Sequence, residues 1–307
     1  MSVSLVVVTW RSARDLERLI VSARGRLDDE TEVVVVDNAS GDDAAEQAAA
    51  WRPSRFIALD RNLGFGAAAN RGVEAATGDV VVLLNPDTEL VDGSLAALAR
   101  FALERRALAG PRLLESDGTA QPSASGPPTG VWPWVGAVLP GAAQPSAMQA
   151  RTEPWRLQRT TRVAWLSGAC LAGPRDLLLS LGPFDPAIHL YGEDMDLGLR
   201  AARAGVASYF CPDLARVVHR GRASTAQLLP EGPWDLIARN RRAVLLRATG
   251  RSRERAAHAA LLLNLALRVA AKRALRRDAE RDVSALRATL RARAVPPPRA
   301  SPSSPAA

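Results

Sequence analysis

Four short apolar runs rich in β-branched residues fall within the first 84 residues, at Ser4–Val8, Glu32–Val36, Arg55–Leu59 and Asp79–Leu84. The stretches between them, Ala13–Arg24, Asp42–Trp51 and Gly66–Ala76, read as helices. This alternation predicts a βαβαβαβ wound sheet and argues against a sandwich or a barrel. Continuous apolar runs mark strands buried on both faces of a mostly parallel sheet. Such sheets bind ligands beyond the carboxyl ends of their strands, so the residues just after each run are where chemistry is expected.

After the fourth run the chain reads Asn85-Pro-Asp87, which aims a hard oxygen ligand into that crevice. Asp87 is the candidate ligand for a divalent cation and, through it, for a diphosphate. After the second run come Asp37, Asn38, Ser40 and Asp42. Asp37 is placed to accept hydrogen bonds from a nucleoside, whereas an Asx-turn and a helix cap account for the other three. The segment Asn62–Asn70 contains Gly64-x-Gly66-x-x-Ala69, a match to the dinucleotide fingerprint. It follows the third strand and not the first, so close backbone approach or tight helix packing explains these glycines better than a nicotinamide site.

A literal Asp-x-Asp, Asp194-Met-Asp196, opens a predicted helix that closes at Gly205. Residues two apart on a helix point about 200° apart, so these two carboxylates cannot face one ion. Glu193 and Asp194 fit an acidic helix start, and the same position would hold a general base rigidly. Of three histidines, His219 ends a strand-like run and enters a basic, glycine-containing loop. With a carboxylate and phosphate oxygens it would suit Mn²⁺ or Mg²⁺. Cys170 and Cys211 are expected as buried small hydrophobes.

The chain is expected to divide into a catalytic part over 1–224 and a basic helical extension over 225–295, with a disordered Pro/Ser/Ala-rich tail over 296–307. Within the first, 1–110 is the wound-sheet half, with the ligand crevice at its strand ends, and 161–224 is a second half. Between them 115–160 reads as a long mobile Pro/Gly-rich connection around Val131-Trp-Pro-Trp-Val135. The first ten residues enter a strand with no basic n-region, so no secretory signal is expected and the catalytic part should be cytoplasmic.

Residues 251–294 hold twelve basic residues against four acidic ones, which accounts for the whole net charge of +8. This segment reads either as an amphipathic basic helix on an anionic membrane surface or as a helix packed on the catalytic part with a solvated arginine face. A nucleic-acid-binding role would use the same charge, but the interleaved aromatics of single-strand platforms are missing, and no nucleic-acid partner is expected.

Six motifs in order, Val6–Trp10, Val35–Ser40, Asn62–Asn70, Leu83–Thr88, Ser167–Cys170 and Phe184–Leu197, resemble those of family 2 glycosyltransferases, most of all a rhamnosyltransferase-like branch. The resemblance implies a GT-A type nucleotide-sugar-binding α/β sheet, here with a C-terminal helical extension. It further implies a nucleotide-diphospho-sugar donor, a glycan or lipid-linked hydroxyl acceptor, a divalent cation (Mg²⁺ or Mn²⁺) and inversion at the anomeric carbon. Carried over by position, Thr9 and Asp37 would bind the nucleoside, and Asn62, Gly64, Asn70 and Asn85 would line the donor site. Asp87 and His219 would hold the metal, Asp194 would be the general base, and Glu193 would place the acceptor. His189 and Pro183 stand where the family has an aromatic residue and a glycine, which points to a different acceptor loop.

Overall fold

The computed structural model describes residues 1–28, 30–51, 54–221, 229 and 231–293. The expected disordered tail and the last part of the basic loop after His219 lie outside the described residues. The four anticipated strands form as β1 (Val3–Thr9), β2 (Glu32–Asp37), β3 (Ser54–Ala58) and β4 (Val80–Leu84). They run parallel in the order β3-β2-β1-β4, with α1 (Ala13–Ala23), α2 (Ala44–Ala49) and α3 (Phe65–Ala75) as crossovers. Side chains alternate across the sheet, so Leu5 and Val7 pack beneath α1 and α2 while Val6 and Val8 pack beneath α3.

Beyond β4 the winding changes. β5 (Thr88–Gly93) leads into α4 (Leu95–Arg105), whose first turn is capped by Ser94 Oγ accepting from the Ala97 N–H at 3.1 Å. The chain continues through β6 (Leu108–Gly110), β7 (Arg112–Leu114), β8 (Ala124–Ser125), β9 (Thr161–Val163), β10 (Trp165–Leu166) and β11 (Cys170–Pro174). After α7 (Arg175–Leu181) and α8 (Glu193–Arg203) come β12 (Ser208–Phe210) and β13 (Ala215–His219). The main sheet thereby grows to eight strands, β3-β2-β1-β4-β11-β6-β12-β9, with β11 antiparallel to β4. A separate sheet, β5-β13-β7, stands at its carboxyl edge. Both cysteines are buried in the core, and burial pushes their thiols up to about 12, as small hydrophobes rather than nucleophiles.

The expectation of a long irregular connection over 115–160 is corrected. That segment carries β8, α5 (Trp132–Val138), α6 (Ser146–Thr152) and two 3₁₀ turns, Gly141–Ala143 and Pro154–Arg156. Arg112 ties it down by donating to the Leu157 carbonyl and, at 3.1 Å, to Gln158 Oε1. Long-range partners, invisible in a Pro/Gly-rich composition, make the order.

The extension is helical as expected, in α9 (Trp234–Thr249), α10 (Arg251–Ala274) and α11 (Glu280–Arg291). Of the two readings of α10, packing on the rest of the chain is the one observed. Ala257, Ala260, Leu265 and Val269 form its buried stripe, and Asn264 donates to the Gly136 carbonyl of α5 at 2.9 Å. Glu254, 1% exposed, takes both arms of Arg242 at 2.6 and 3.2 Å. Removing one partner of a buried ion pair strands the other charge, which costs about 3 kcal/mol or more. Glu254→Ala should therefore lower the free energy of urea unfolding by about 3 kcal/mol; a change below about 0.5 kcal/mol, typical of surface positions, would show the pair to be solvated.

Candidate active site

The carboxyl edge of β3-β2-β1-β4 gathers the donor-side residues. Thr9 ends β1, fully buried, with its hydroxyl 2.9 Å from Ser12 Oγ. Asp37 ends β2 and accepts from the Ser40 hydroxyl and backbone N–H, while Ser40 Oγ in turn accepts from the Arg11 N–H at 3.0 Å. The Asx-turn and the expected nucleoside contact thus fall on one partly exposed carboxylate. Asn62 Oδ1 accepts from Asn38 Nδ2 at 3.0 Å and from the Gly64 N–H at 2.8 Å, shaping the loop before α3.

Two donor-site candidates are also engaged by the chain itself. Asn70 clasps Phe184, donating to its carbonyl at 2.8 Å and accepting from its N–H at 2.9 Å. Gly64, at φ +85°, has no ligand space above it, because a Cβ there would overlap the His189 carbonyl, which also accepts from the Phe65 N–H at 3.1 Å. That carbonyl occupies the helix start where a dinucleotide's phosphates would sit, so the nicotinamide alternative fails on geometry.

The metal-side residues converge through strand register. In the antiparallel pairing of β5 with β13, Thr88 lies opposite His219, and the Arg220 N–H donates to the Asp87 carbonyl at 2.9 Å. His219 Nε2 thereby stands 3.4 Å from Asp87 Oδ1, both side chains largely buried. Gln121, which sequence reasoning missed because it lies in the supposed connection, sets the histidine tautomer. Its Nε2 donates to the His219 carbonyl at 3.3 Å, so its Oε1 faces His219 Nδ1 at 2.8 Å and takes that ring's proton. With Nδ1 protonated, Nε2 carries the ring's lone pair, beside both the Asp87 carboxylate and the Asn85 amide, which makes this pair the candidate cation position. Asn85 Nδ2 lies 3.4 Å from the same Nε2, and its buried Oδ1 has no hydrogen-bond partner. Among the described residues no three His, Cys, Asp or Glu side chains cluster to hold a metal, so a cation here would need oxygens from a ligand to complete its shell.

The acidic pair stands on the other side of β11. The Asn85 N–H donates to the Ala169 carbonyl at 2.9 Å, and the neighbouring Gly168 lies against Asp194, where its N–H favours the ionised carboxylate. Adjacent residues of one turn therefore hold the metal-side strand end and the candidate base. Asp194 also accepts from the Met195 N–H at 2.7 Å at the start of α8. Glu193 is buried behind it near Gly66 of α3, with Oε2 unpartnered. Asp196 points elsewhere, as the helical geometry required, and pairs with Arg200 at 2.7 Å and Arg247 at 2.6 Å.

Burial raises both carboxyls of the pair above the usual carboxylate range, and the Asp194 charge raises Glu193 further. Asp194, stabilised by two backbone N–H groups, ionises first; Glu193, with an orphan oxygen, keeps its proton. The turn before them is strained, with Tyr191 at φ 63° and Gly192 at φ 98°. Asn240 of α9 holds it by donating to the Leu190 and Tyr191 carbonyls, each at 2.9 Å. Nothing local in the sequence pointed to Asn240. A separate cleft of about 520 Å³ behind α8 is lined by Asp185, Arg200 and Arg247, whose charges are spent on one another and on Asp196.

A wound sheet whose carboxyl edge gathers Asp37, Asn85 and Asp87, with a second small sheet beside it and helices behind, is the GT-A architecture, and the solved structures it resembles share that fold. The mannosyltransferase PcManGT from Pyrobaculum calidifontis in complex with GDP-Man and Mn²⁺ superposes with a TM-score of 0.56 over 94% of this chain and 84% of its own, at 18% identity. S. aureus TarS 1–349 in complex with UDP-GlcNAc gives 0.57 over 94% and 79%, also at 18% identity. Residues 4–137 match the model of glycosyl transferase family 2. The N-acetylglucosaminyl-diphospho-decaprenol L-rhamnosyltransferase of Mycobacterium tuberculosis is 32% identical over 245 residues, 73% of this chain and 77% of its own. The O-antigen biosynthesis protein RfbC of Myxococcus xanthus is 28% identical over 239 residues, 75% of this chain and 18% of its own. The chain belongs to the family 2 glycosyltransferases.

The raised Glu193 carboxyl makes stability depend on pH. The unfolded chain releases this proton near pH 4.3, roughly, while the folded chain keeps it, so stability falls as pH climbs from that value through the raised one. Glu193→Gln should remove that decline, raising Tm more at pH 8 than at pH 5 in a thermal scan. An equal shift at both pH values would mean that Glu193 is ionised in the fold.

Proposed function

We propose that the chain is a metal-dependent, inverting transferase that moves a sugar from a nucleotide-diphospho-sugar to a hydroxyl of a lipid-linked glycan intermediate. Rhamnose as the sugar and a diphosphate-linked N-acetylglucosamine as the acceptor are the pair suggested by the mycobacterial relative's name. The observation that supports the reading is the Asp87–His219 pair at one strand end, linked through the Asn85–Ala169 hydrogen bond to the turn whose Gly168 lies against Asp194.

In this reading Asp37 and Asn62 hold the nucleoside along the sheet edge, with Thr9 buried behind them and shaping the β1 end through Ser12, and Asp87 and His219 would hold the cation, with Asn85 beside them. A divalent ion there would neutralise charge developing on the departing nucleoside diphosphate. Asp194 takes the proton of the acceptor hydroxyl as its oxygen bonds to the anomeric carbon and the bond from that carbon to the diphosphate oxygen breaks. One displacement inverts the centre, with no enzyme-bound sugar. Gly168 and Met195 aim the carboxylate, and protonated Glu193 behind it adds no competing charge while placing the acceptor.

A peripheral position on the cytoplasmic face of a membrane suits a lipid-linked acceptor. Among the described residues no helix is long and apolar enough to cross a membrane. The support lies in exposed groups: Val131, Trp134 and Val138 project from one face of α5, and Arg251, Arg253, Arg255 and Arg273 are exposed on α10, which packs against it. Apolar side chains flanked by cations are how interfacial helices hold anionic lipid.

Asp194→Asn should lower kcat by at least two orders of magnitude, the usual scale of a lost general base, while nucleotide diphosphate with Mn²⁺ still raises Tm. Full transfer by that variant would sink the assignment. Replacing Trp134 with Asp should reduce co-sedimentation with vesicles rich in anionic lipid. Unchanged binding would place the membrane contact elsewhere.

A further inference from the structure

α9 contributes more than a brace. Val244 and Leu245 form a small cluster with Ile188, Met195 and Ala257, and Trp165 packs against it. At about 100° per residue, Arg241 lies on the helix face between those two side chains, one turn nearer the helix start. Its neighbour Asn240 holds the turn that leads into Glu193 and Asp194. Arg241 therefore sits at the junction of α8, α9 and α10, next along the helix from the residue that holds the turn into the acid pair.

Its partners set it apart. Arg242 occupies both oxygens of Glu254 and also donates to the Ala292 carbonyl at 2.6 Å. Arg247 holds Asp185 and Asp196, Arg200 holds Asp196 and the Gly182 and Pro183 carbonyls, and Arg203 caps the end of α9. Arg241 has no hydrogen-bond partner among the described residues. The acid within its electrostatic reach, Glu254, is already engaged by Arg242, and His258 of α10 stands close enough to feel both arginines. Burial pushes the Arg241 guanidinium down to about 10 and the His258 imidazole below its usual value. A partly buried cation with no anion of its own destabilises a fold, and such groups persist where a ligand supplies the charge.

We propose that Arg241, with His258 beside it, binds the diphosphate that joins the acceptor sugar to its lipid. The inference rests on the lipid-linked acceptor proposed above and adds the residues that recognise it. A guanidinium offers two parallel N–H donors to phosphate oxygens, and the imidazole adds a further donor at its side. Held there, the diphosphate would orient the sugar so that one hydroxyl faces Asp194, with the lipid leading out past α10 and α5. Arg241 is on this account a specificity-determining residue that makes no contact with the donor.

The test compares two soluble acceptors, an octyl diphospho-N-acetylglucosamine and an octyl N-acetylglucosaminide without phosphate, using the full-length chain. The wild type should show a KM at least tenfold lower for the diphosphate acceptor. In Arg241→Met that ratio should collapse towards one, with the KM for nucleotide-sugar unmoved and Tm equal to or above that of the wild type. Arg241→Lys should recover part of the ratio. A ratio preserved in Arg241→Met overturns the assignment, as does a drop in Tm accompanied by a weakened donor KM, which would mark Arg241 as structural. A wild type that transfers equally well to both acceptors overturns it while leaving glycosyl transfer intact; transfer to neither removes the acceptor reading itself.

Discussion

The antiparallel pairing of β5 with β13, which sets Thr88 opposite His219, brings the side chains of Asp87 and His219 together across 132 positions of the chain. The arrangement of this candidate cation position follows from that register. A slip of one residue would turn His219 to the other face of its sheet and leave Asp87 facing solvent alone. Gln121 then orients the imidazole so that Nε2 faces the Asp87 carboxylate and the Asn85 amide. The site is thus a product of sheet geometry first and of side-chain chemistry second.

A second constraint joins the helical extension to the chemistry. The turn at Tyr191 and Gly192 has backbone angles that cost free energy, and Asn240 spends both amide hydrogens on its carbonyls. α9 is held in turn by α10 and α11 through the Arg242–Glu254 pair and the contact of Arg242 with Ala292. A basic segment that looks like an appendage therefore braces the loop carrying the acid pair. Its buried stripe serves this packing, so any attraction to lipid rests on its exposed arginines and on the neighbouring face of α5.

Charge burial follows the same division of labour. Around α8 most arginines are matched to acids or carbonyls and rivet the back of the helix, whereas Glu193 is buried with an unpartnered oxygen and Arg241 is partly buried with no hydrogen-bond partner of its own among the described residues. Both flank the turn at Tyr191 and Gly192 that leads into α8. Uncompensated polar groups of this kind are costly, and their clustering beside one crevice is what a binding surface for a charged, hydroxyl-bearing molecule requires.

The wound sheet was legible in the sequence because its strands are continuous β-branched runs and its helices have period-3.6 faces, signals that local physics produces. Asp87 and Asp37 were legible for the same reason: each ends such a run, and parallel strands share one carboxyl edge. The separation of Asp194 from Asp196 needed only helical geometry. Other features depended on partners far along the chain. Asn70 and Gly64 carry a ligand-like pattern, yet they serve the loop from Phe184 to His189, which no local signal could reveal. The order in 115–160, the tautomer imposed by Gln121 and the bracing by Asn240 all come from long-range hydrogen bonds. Local sequence dictated elements and the edge where chemistry would sit; only tertiary packing, through register and burial, decided which side chains meet there and which keep their protons.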